Sequence, residues 1–252
     1  MKIIEKDCIE YMKSQKSSIF DMVITSPPYN LNIQYGTYKD NRPRENYLLW
    51  IEEVFQQVKR VLKENGSLFL NMGCSNVDPW IPMDVANTLR PFMTLQNQIM
   101  WIKSLAINGN TYGHFKPINS SRFLNHTYEY LFHFTKTGNV PINRSAIGVP
   151  YTDKTNIKRW GKKEDLHCRG NTWHIPYETI QNKSEKGNHP ATYPVELVEW
   201  CIKLHGVNKD SLIYDPFLGT GTTLKAAENI GIDGIGTDVD KEYIDYSKRR
   251  LS

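Results

Sequence analysis

The sequence predicts an α/β fold: an open, mostly parallel sheet with helices on both faces and one insertion. Three observations carry this. Short apolar runs bounded by turn residues alternate with helical patterns. One such run, Leu212–Tyr214, enters a glycine turn that opens a helix, and another, Met22–Thr25, stops at two consecutive prolines. Strand–helix–strand alternation is how a parallel sheet is connected, because each link must cross one of its faces. At 252 residues, the chain exceeds the usual domain mode of roughly 100 to 150, so one domain with an elaboration is expected.

Met1 to Lys6 alternates apolar and charged residues, as an opening strand does and a signal-peptide core does not. Further strands are expected at Met22–Thr25, Ser67–Asn71, Leu95–Trp101, Tyr128–Phe134, Leu212–Tyr214 and Gly234–Thr237. Between the first two of these, Asn46–Leu62 carries Leu48, Leu49, Ile51, Val54, Phe55, Val58, Val61 and Leu62 at helical spacing, with Asn65-Gly66 as its expected C-terminal stop. Tyr193–Leu204, Thr220–Ile230 and Lys241–Leu251 read as further helices.

From Lys136 to Lys186 the alternation stops. This segment holds ten Lys or Arg against five acids, a surplus large enough to account for the net charge of +4 of the whole chain. Tyr151, Trp160, Trp173 and Tyr177 are interleaved with the charges, a mixture suited to phosphate contact and base stacking. A solvated insertion with ordinary surface charge fits the same composition. The expected division is 1–135, 136–186 and 187–252.

The four cysteines, Cys8, Cys74, Cys168 and Cys201, form no C-x-x-C pair, so neither a zinc site nor a disulfide framework is expected. No stretch of about 18 apolar residues exists. The expectation is a cytoplasmic protein with reduced thiols, no metal and no membrane partner.

Two motifs carry chemistry. In Asp215-Pro216-Phe217-Leu218-Gly219-Thr220-Gly221-Thr222, glycines allow close backbone approach to a ligand, and the helix start offers free N–H groups. Asp238 ends the next strand, about 20 residues on, where a carboxylate can accept hydrogen bonds from both ribose hydroxyls. No Gly-Lys-Ser/Thr follows the glycines, which disfavours a P-loop. Asp215 would repel a pyrophosphate and suits a cationic ligand group instead. A glycine turn merely joining strand to helix is the plainer alternative.

The second motif, Ser26-Pro27-Pro28-Tyr29, follows its strand without a gap. Prolines cannot continue a central strand and leave stiff carbonyl acceptors at its C-terminal end, where open α/β sheets bind ligands. Methylation of an aromatic amine needs such a group. The nitrogen lone pair is delocalised into the ring, so an acceptor pair, Ser26 and a proline carbonyl, must draw on both N–H bonds. Tyr29 can stack on a base flipped from the duplex. A rigid proline turn with Tyr29 in the core remains the alternative.

Together, Ser26–Tyr29 and Asp215–Thr222 resemble the amino-methylating DNA methyltransferases of bacterial restriction–modification systems. The order, catalytic motif first and cofactor loop last, resembles their β class, a circularly permuted, Rossmann-like class I methyltransferase. The resemblance implies S-adenosylmethionine as cofactor, with S-adenosylhomocysteine as product. It implies cofactor contacts from Asp7 and Cys8, His189, Asp215, Phe217, Gly219, Gly221, Thr222 and Asp238. For His189, a helix-capping role stands beside cofactor contact. Asn125–Tyr130 resembles the strand that walls the target-base pocket, although Glu129 also fits a structural hydrogen-bonding role. Double-stranded DNA is the implied partner, with the basic insertion as target-recognition region; the candidate contacts are Lys39, Arg42, Arg44, Arg144, Lys158, Arg159, Lys162, Lys163 and Arg169. Dimers are common in the family, so a homodimer is an expectation, as is a cognate restriction endonuclease on a separate chain.

In this family, Ser-Pro-Pro-Tyr typically marks cytosine-N4 enzymes and Asp-Pro-Pro-Tyr adenine-N6 enzymes, so Ser26 favours cytosine N4, with adenine N6 as the alternative. Cytosine-C5 chemistry needs a thiolate, usually from a Pro-Cys pair, and no cysteine here follows a proline. Protein glutamine methyltransferases use a related motif normally preceded by Asn; Ser26, the permuted order and the basic insertion argue against that reading. A non-enzymatic DNA-binding role would predict binding indifferent to S-adenosylmethionine.

Overall fold

The computed structural model describes residues 1–33, 40–113, 117–176 and 193–251. Strand β1 (Lys2–Glu5) leads into α1 (Cys8–Lys13), whose first turn is capped by Asp7: its carboxylate accepts from the Ile9 and Glu10 amides at 2.9 and 3.1 Å. Then come β2 (Phe20–Thr25), α2 (Arg44–Val61), β3 (Leu62–Met72), α3 (Ile81–Leu89) and β4 (Thr94–Ile102). A small hairpin, β5 (Ser104–Ile107) and β6 (Asn110–Gly113), precedes β7 (Tyr128–Thr135). The short α4 (Thr155–Arg159) and β8 (Thr172–His174) follow, then α5 (Val195–His205), β9 (Leu212–Asp215), α6 (Thr222–Ile230), β10 (Asp233–Asp238) and α7 (Lys241–Arg250).

The main sheet has the order β1-β10-β9-β2-β3-β7-β4-β8. Its pairs are parallel except those of β7, which runs antiparallel to both β3 and β4. The chain therefore starts at one edge and jumps to β2 near the centre; β9 and β10 later fill the gap. Side chains alternate faithfully between the two faces. On β2 and β3, Val23, Leu68 and Leu70 join a core with α1, α2 and α3, whereas Met22, Ile24 and Phe69 join one with α5 and α6. Each fully buried apolar side chain of this kind contributes about 1.5–3 kcal/mol.

The helix expected at Asn46–Leu62 begins earlier and ends at Val61, and its buried side is Tyr47, Ile51, Val54, Phe55, Val58 and Val61. Leu49 is 65% exposed, so it lies off that stripe. Asn65-Gly66 is not a helix stop: Leu62 is already extended and pairs with Phe20, while Ser67 pairs with Met22. Lys63–Gly66 thus bulges out of the strand. A side chain at Gly66 would collide with Leu62 Cγ at 2.7 Å.

α3 was hidden in the sequence by Pro79 and Pro82, yet a proline in the first helical turn forfeits no hydrogen bond. The β5–β6 hairpin turns on Asn108-Gly109, both at positive φ, a legible two-residue turn. The insertion also departs from expectation. β8 extends the main sheet, and Trp173 is buried with its indole N–H donating to the Gly170 carbonyl at 3.1 Å. It is a core residue and not a stacking surface. No helix among the described residues is long and apolar enough to cross a membrane.

One polar cluster interrupts the second core. Ser67 Oγ lies 2.9 Å from His133 Nε2 and 3.0 Å from His205 Nδ1, and Asn97 Nδ2 meets His133 Nδ1 at 2.9 Å. Burial, then the neighbouring His205, pushes the His133 pKa down to about 3. A histidine held neutral by the fold contributes stability that is present above its unfolded pKa and is lost as pH falls below it. The buried carboxylates Asp215 and Asp238 shift upward and act in the opposite direction, so the histidine is isolated by difference. His133→Gln is expected to lower the thermal midpoint at pH 7.5, with the gap to the unaltered protein narrowing at pH 5; a gap independent of pH would contradict this.

Candidate active site

The C-terminal ends of β1, β10, β9 and β2 lie side by side, and a cavity of about 230 Å³ opens there. Two stretches remote in sequence form its walls. Ser26, Pro28 and Tyr29 come from the turn after β2, and Pro216 to Thr220 with Thr222 come from the glycine loop. Lys6, Asp7 and Cys8 after β1, Asp238 to Asp240 after β10, and Trp50 on α2 complete most of the rim.

The glycine loop is held from behind. Gly219 donates its amide to Asp238 Oδ2 at 2.8 Å, and Ser247 Oγ on α7 donates to the Gly219 carbonyl at 2.8 Å. Gly219 and Gly221 both adopt positive φ, at 50° and 81°. Gly221 sits at the N-cap of α6, where an added Cβ would meet Ser247 at 3.1 Å. Trp50 stands edge-on to Phe217 at 5.5 Å, with the Arg42 guanidinium 4.9 Å above its ring. Burial, and next the charge of Asp7, pushes the Cys8 thiol well above its ordinary range, so Cys8 serves as a neutral wall.

Asp215 does not reach the cavity wall, which corrects the expectation of direct contact with a cationic ligand. It is fully buried, and its carboxylate accepts from Thr25 Oγ1 at 2.7 Å, Thr223 Oγ1 at 2.6 Å, Tyr193 OH at 3.2 Å and the Phe217 amide at 3.0 Å. Burial outweighs these bonds and raises its pKa to about 6.

Around the proline turn, Tyr47 OH donates to the Pro28 carbonyl at 2.8 Å. Asp40 gathers the amides of Asn30, Leu31 and Ile33 at 2.7, 3.0 and 3.1 Å, which fixes the exit of the chain at a positive-φ Asn30. Ser26 Oγ and Tyr29 OH are 2.7 Å apart. Tyr29 OH is also 3.3 Å from Glu129 Oε2, and Asn71 Nδ2 reaches both Tyr29 OH at 2.9 Å and Glu129 Oε2 at 2.7 Å. Lys103 pairs with Glu129 Oε1 at 2.9 Å. Asn71 Oδ1 is buried without a hydrogen-bond partner.

Of the residues expected to bind a cofactor, Asp7, Cys8, Phe217, Gly219, Thr222 and Asp238 line the cavity. His189 lies outside the described residues, as does Lys39. Among the residues expected at DNA, Arg42 lines the cavity, and Arg144, Lys158, Arg159, Lys162 and Lys163 are exposed on the insertion. Arg44 instead pairs with Asp78 and Asp84 at 2.6 and 3.6 Å. Arg169 lies 4.0 Å over the Trp200 ring and donates to the Ile147 carbonyl; both are corrected to roles within the fold. Trp50, Lys6, Asp240 and Tyr243 were missed. Trp50 had a signal, one helical turn after Tyr47; the others follow strand ends or open a helix, positions that sequence alone does not separate from ordinary caps. No group of three or more His, Cys, Asp or Glu among the described residues is placed to hold a metal ion.

A doubly covered α/β sheet with a cavity at its strand C-termini is a ligand-binding architecture of the doubly wound class. Residues 20–249 match the family model described as DNA methylase, of N6 and N4 type, and the chain belongs to that family. The type II methyltransferase M.BglII of Bacillus subtilis is 30% identical, over 100% of this chain and 69% of that protein. The structure of the PvuII DNA methyltransferase (cytosine-N4-specific) superposes with a TM-score of 0.74 at 18% identity, covering 99% of this chain and 86% of the other. A DNA modification methylase from Thermus thermophilus, TTHA0409, complexed with S-adenosyl-L-methionine, gives a TM-score of 0.67 at 23% identity, covering 99% of this chain and 92% of the other.

Gly73, just after β3, tests how closely the catalytic turn is packed. A Cβ there would stand 2.9 Å from Tyr29 Cε2 and 3.2 Å from Glu129 Cδ. Gly73→Ala is expected to destabilise the fold by about 1–3 kcal/mol, as overpacking does, read as a lower urea midpoint at unchanged slope.

Proposed function

We propose that this DNA methylase transfers a methyl group from S-adenosylmethionine to the exocyclic N4 amino group of cytosine in double-stranded DNA. One observation carries the reading: Ser26 and Tyr29 open onto the same cavity as the glycine loop and Asp238, so an amine held by the first would face a ligand held by the second.

The residues fit the cofactor. Asp238 keeps acceptor capacity beyond the Gly219 and Asp240 amides and is placed for ribose hydroxyls. Trp50 and Phe217 offer flat apolar surface to an adenine ring, and the positive-φ Gly219 lets backbone come close. When bound, the cofactor supplies an electrophilic methyl group on a sulfonium. Ser26 Oγ and a proline carbonyl accept the two amine N–H bonds; Tyr47 engages the carbonyl of Pro28, which points to that of Pro27 for the substrate. This polarises the amine and aims its lone pair along the line of attack, so catalysis rests on positioning and not on a covalent enzyme intermediate.

Cytosine is supported by Ser26 in the place where adenine enzymes typically carry Asp. DNA contact is assigned to Arg144, Lys158, Arg159, Lys162 and Lys163, all exposed on the insertion, with Trp160, 62% exposed beneath Arg159, available for stacking. A restriction endonuclease on a separate chain is the corresponding partner, by analogy with relatives named type II methyltransferases.

Incubation with unmethylated DNA and S-adenosylmethionine, digestion to nucleosides and mass spectrometry is expected to yield N4-methylcytosine. N6-methyladenine would move the target base, and neither product would overturn the reading. Ser26→Ala should cut turnover by about 10²-fold or more, the scale of a lost transition-state hydrogen bond, at unchanged cofactor affinity. Asp238→Ala should instead weaken cofactor binding by calorimetry; unchanged affinity would remove it from the site.

A further inference from the structure

Glu129 does not line the cavity, yet it holds together every polar group behind the proline turn. Its Oε1 takes Lys103 and its Oε2 takes Asn71 and Tyr29. We infer that Glu129 is a positioning residue that sets the direction of the hydroxyl hydrogen bonds, so that Ser26 faces the substrate amine as an acceptor. This rests on the methyl-transfer function proposed above.

Proton counting carries the inference. Asn71 must turn its Nδ2 toward Glu129, because the opposite amide orientation would set Oδ1 against a carboxylate. That orientation leaves Asn71 Oδ1 buried without a partner, a cost that only the charge on Glu129 explains. The same nitrogen donates to Tyr29 OH at 2.9 Å, so the phenol oxygen is already an acceptor. Tyr29 has one proton, and two oxygens are within reach: Ser26 Oγ at 2.7 Å and Glu129 Oε2 at 3.3 Å. A phenol is a far stronger acid than an alcohol, and a carboxylate is the stronger acceptor, so the proton goes to Glu129. The 2.7 Å contact is then donated by Ser26. Its own proton points inward, and its lone pairs are left for the N–H of the incoming amine. Lys103 keeps Glu129 ionised without touching the hydroxyls.

Glu129→Gln separates this role from packing. Lys103 would draw the amide oxygen of Gln and turn the NH2 group toward Tyr29. The phenol proton would then pass to Ser26 and present the Ser26 proton to the amine, a donor facing a donor. Turnover is expected to fall at least about tenfold, the rate equivalent of one hydrogen bond to a charged group, with cofactor and DNA affinity unchanged. The double variant Lys103→Met, Glu129→Gln frees the amide to turn back and is expected to recover part of that loss. In a Tyr29→Phe background, Glu129→Gln should cost nothing further. Independently of turnover, the isotope-edited phenolic C–O stretch of Tyr29, assigned by its absence in Tyr29→Phe, should shift in Glu129→Gln and return in the double variant.

Full turnover in Glu129→Gln, no recovery in the double variant, or an equal loss without Tyr29 would each overturn the inference while leaving the function intact. Absence of methyl transfer by the unaltered chain would overturn both.

Discussion

The hydrogen bond from Thr25 to Asp215 joins residues 190 positions apart in the sequence. Thr25 is the last residue of β2 and Asp215 the last of β9, so the bond fixes the ends of adjacent strands to the same height. Ser26 begins on one side of it and the glycine loop on the other. Everything that the site does depends on that shared height, because an in-line transfer tolerates little misplacement of its two partners. Asp215 adds Thr223 and Tyr193 to the same carboxylate, tying α6 and the approach to α5 to the junction. A fully buried carboxylate costs stability unless its oxygens are occupied; here four donors occupy them. The pKa of about 6 shows that burial still outweighs the donors.

Most of the sheet was legible in the sequence because its strands are buried on both faces or alternate strictly, and its helices carry one apolar stripe. The six expected strands are all present, each within two residues of its bounds except β3, which starts five residues early. What escaped has specific causes. α1 is six residues long, too short for a period to show. The prolines around α3 read as loop although Pro82 sits where a helix tolerates it. Asn65-Gly66 bears the signature of a helix end and is used for a bulge, since a turn dipeptide serves wherever the backbone must leave regular pairing.

The site divides along the same line. Ser26–Tyr29, Gly219–Thr222 and Asp238 are contiguous motifs at strand ends, and contiguity is what a sequence displays. The network of Asn71, Lys103 and Glu129 is assembled from β3, the end of β4 and β7. Each residue alone is an ordinary polar side chain near a strand end; only their mutual distances of about 3 Å give them a common function. The basic insertion shows the converse. Its charge was plain in the composition, but composition does not distinguish Arg169, stacked on Trp200, from the exposed Lys158 to Lys163 cluster.

The strand order β1-β10-β9-β2 has a consequence for how the molecule comes into being. On a ribosome, β1 and β2 emerge early, and the two strands that belong between them are the last to be made. Until then β1 has no neighbour in the main sheet, and β2 offers one unsatisfied edge, the kind of template on which chains associate wrongly. Closure of the sheet and completion of the cavity are therefore a single late event, made slow by the long separation in sequence of the contacts involved. A ligand that bridges the two halves would act as a clasp on this last step, so its supply would govern how long a newly made chain remains open.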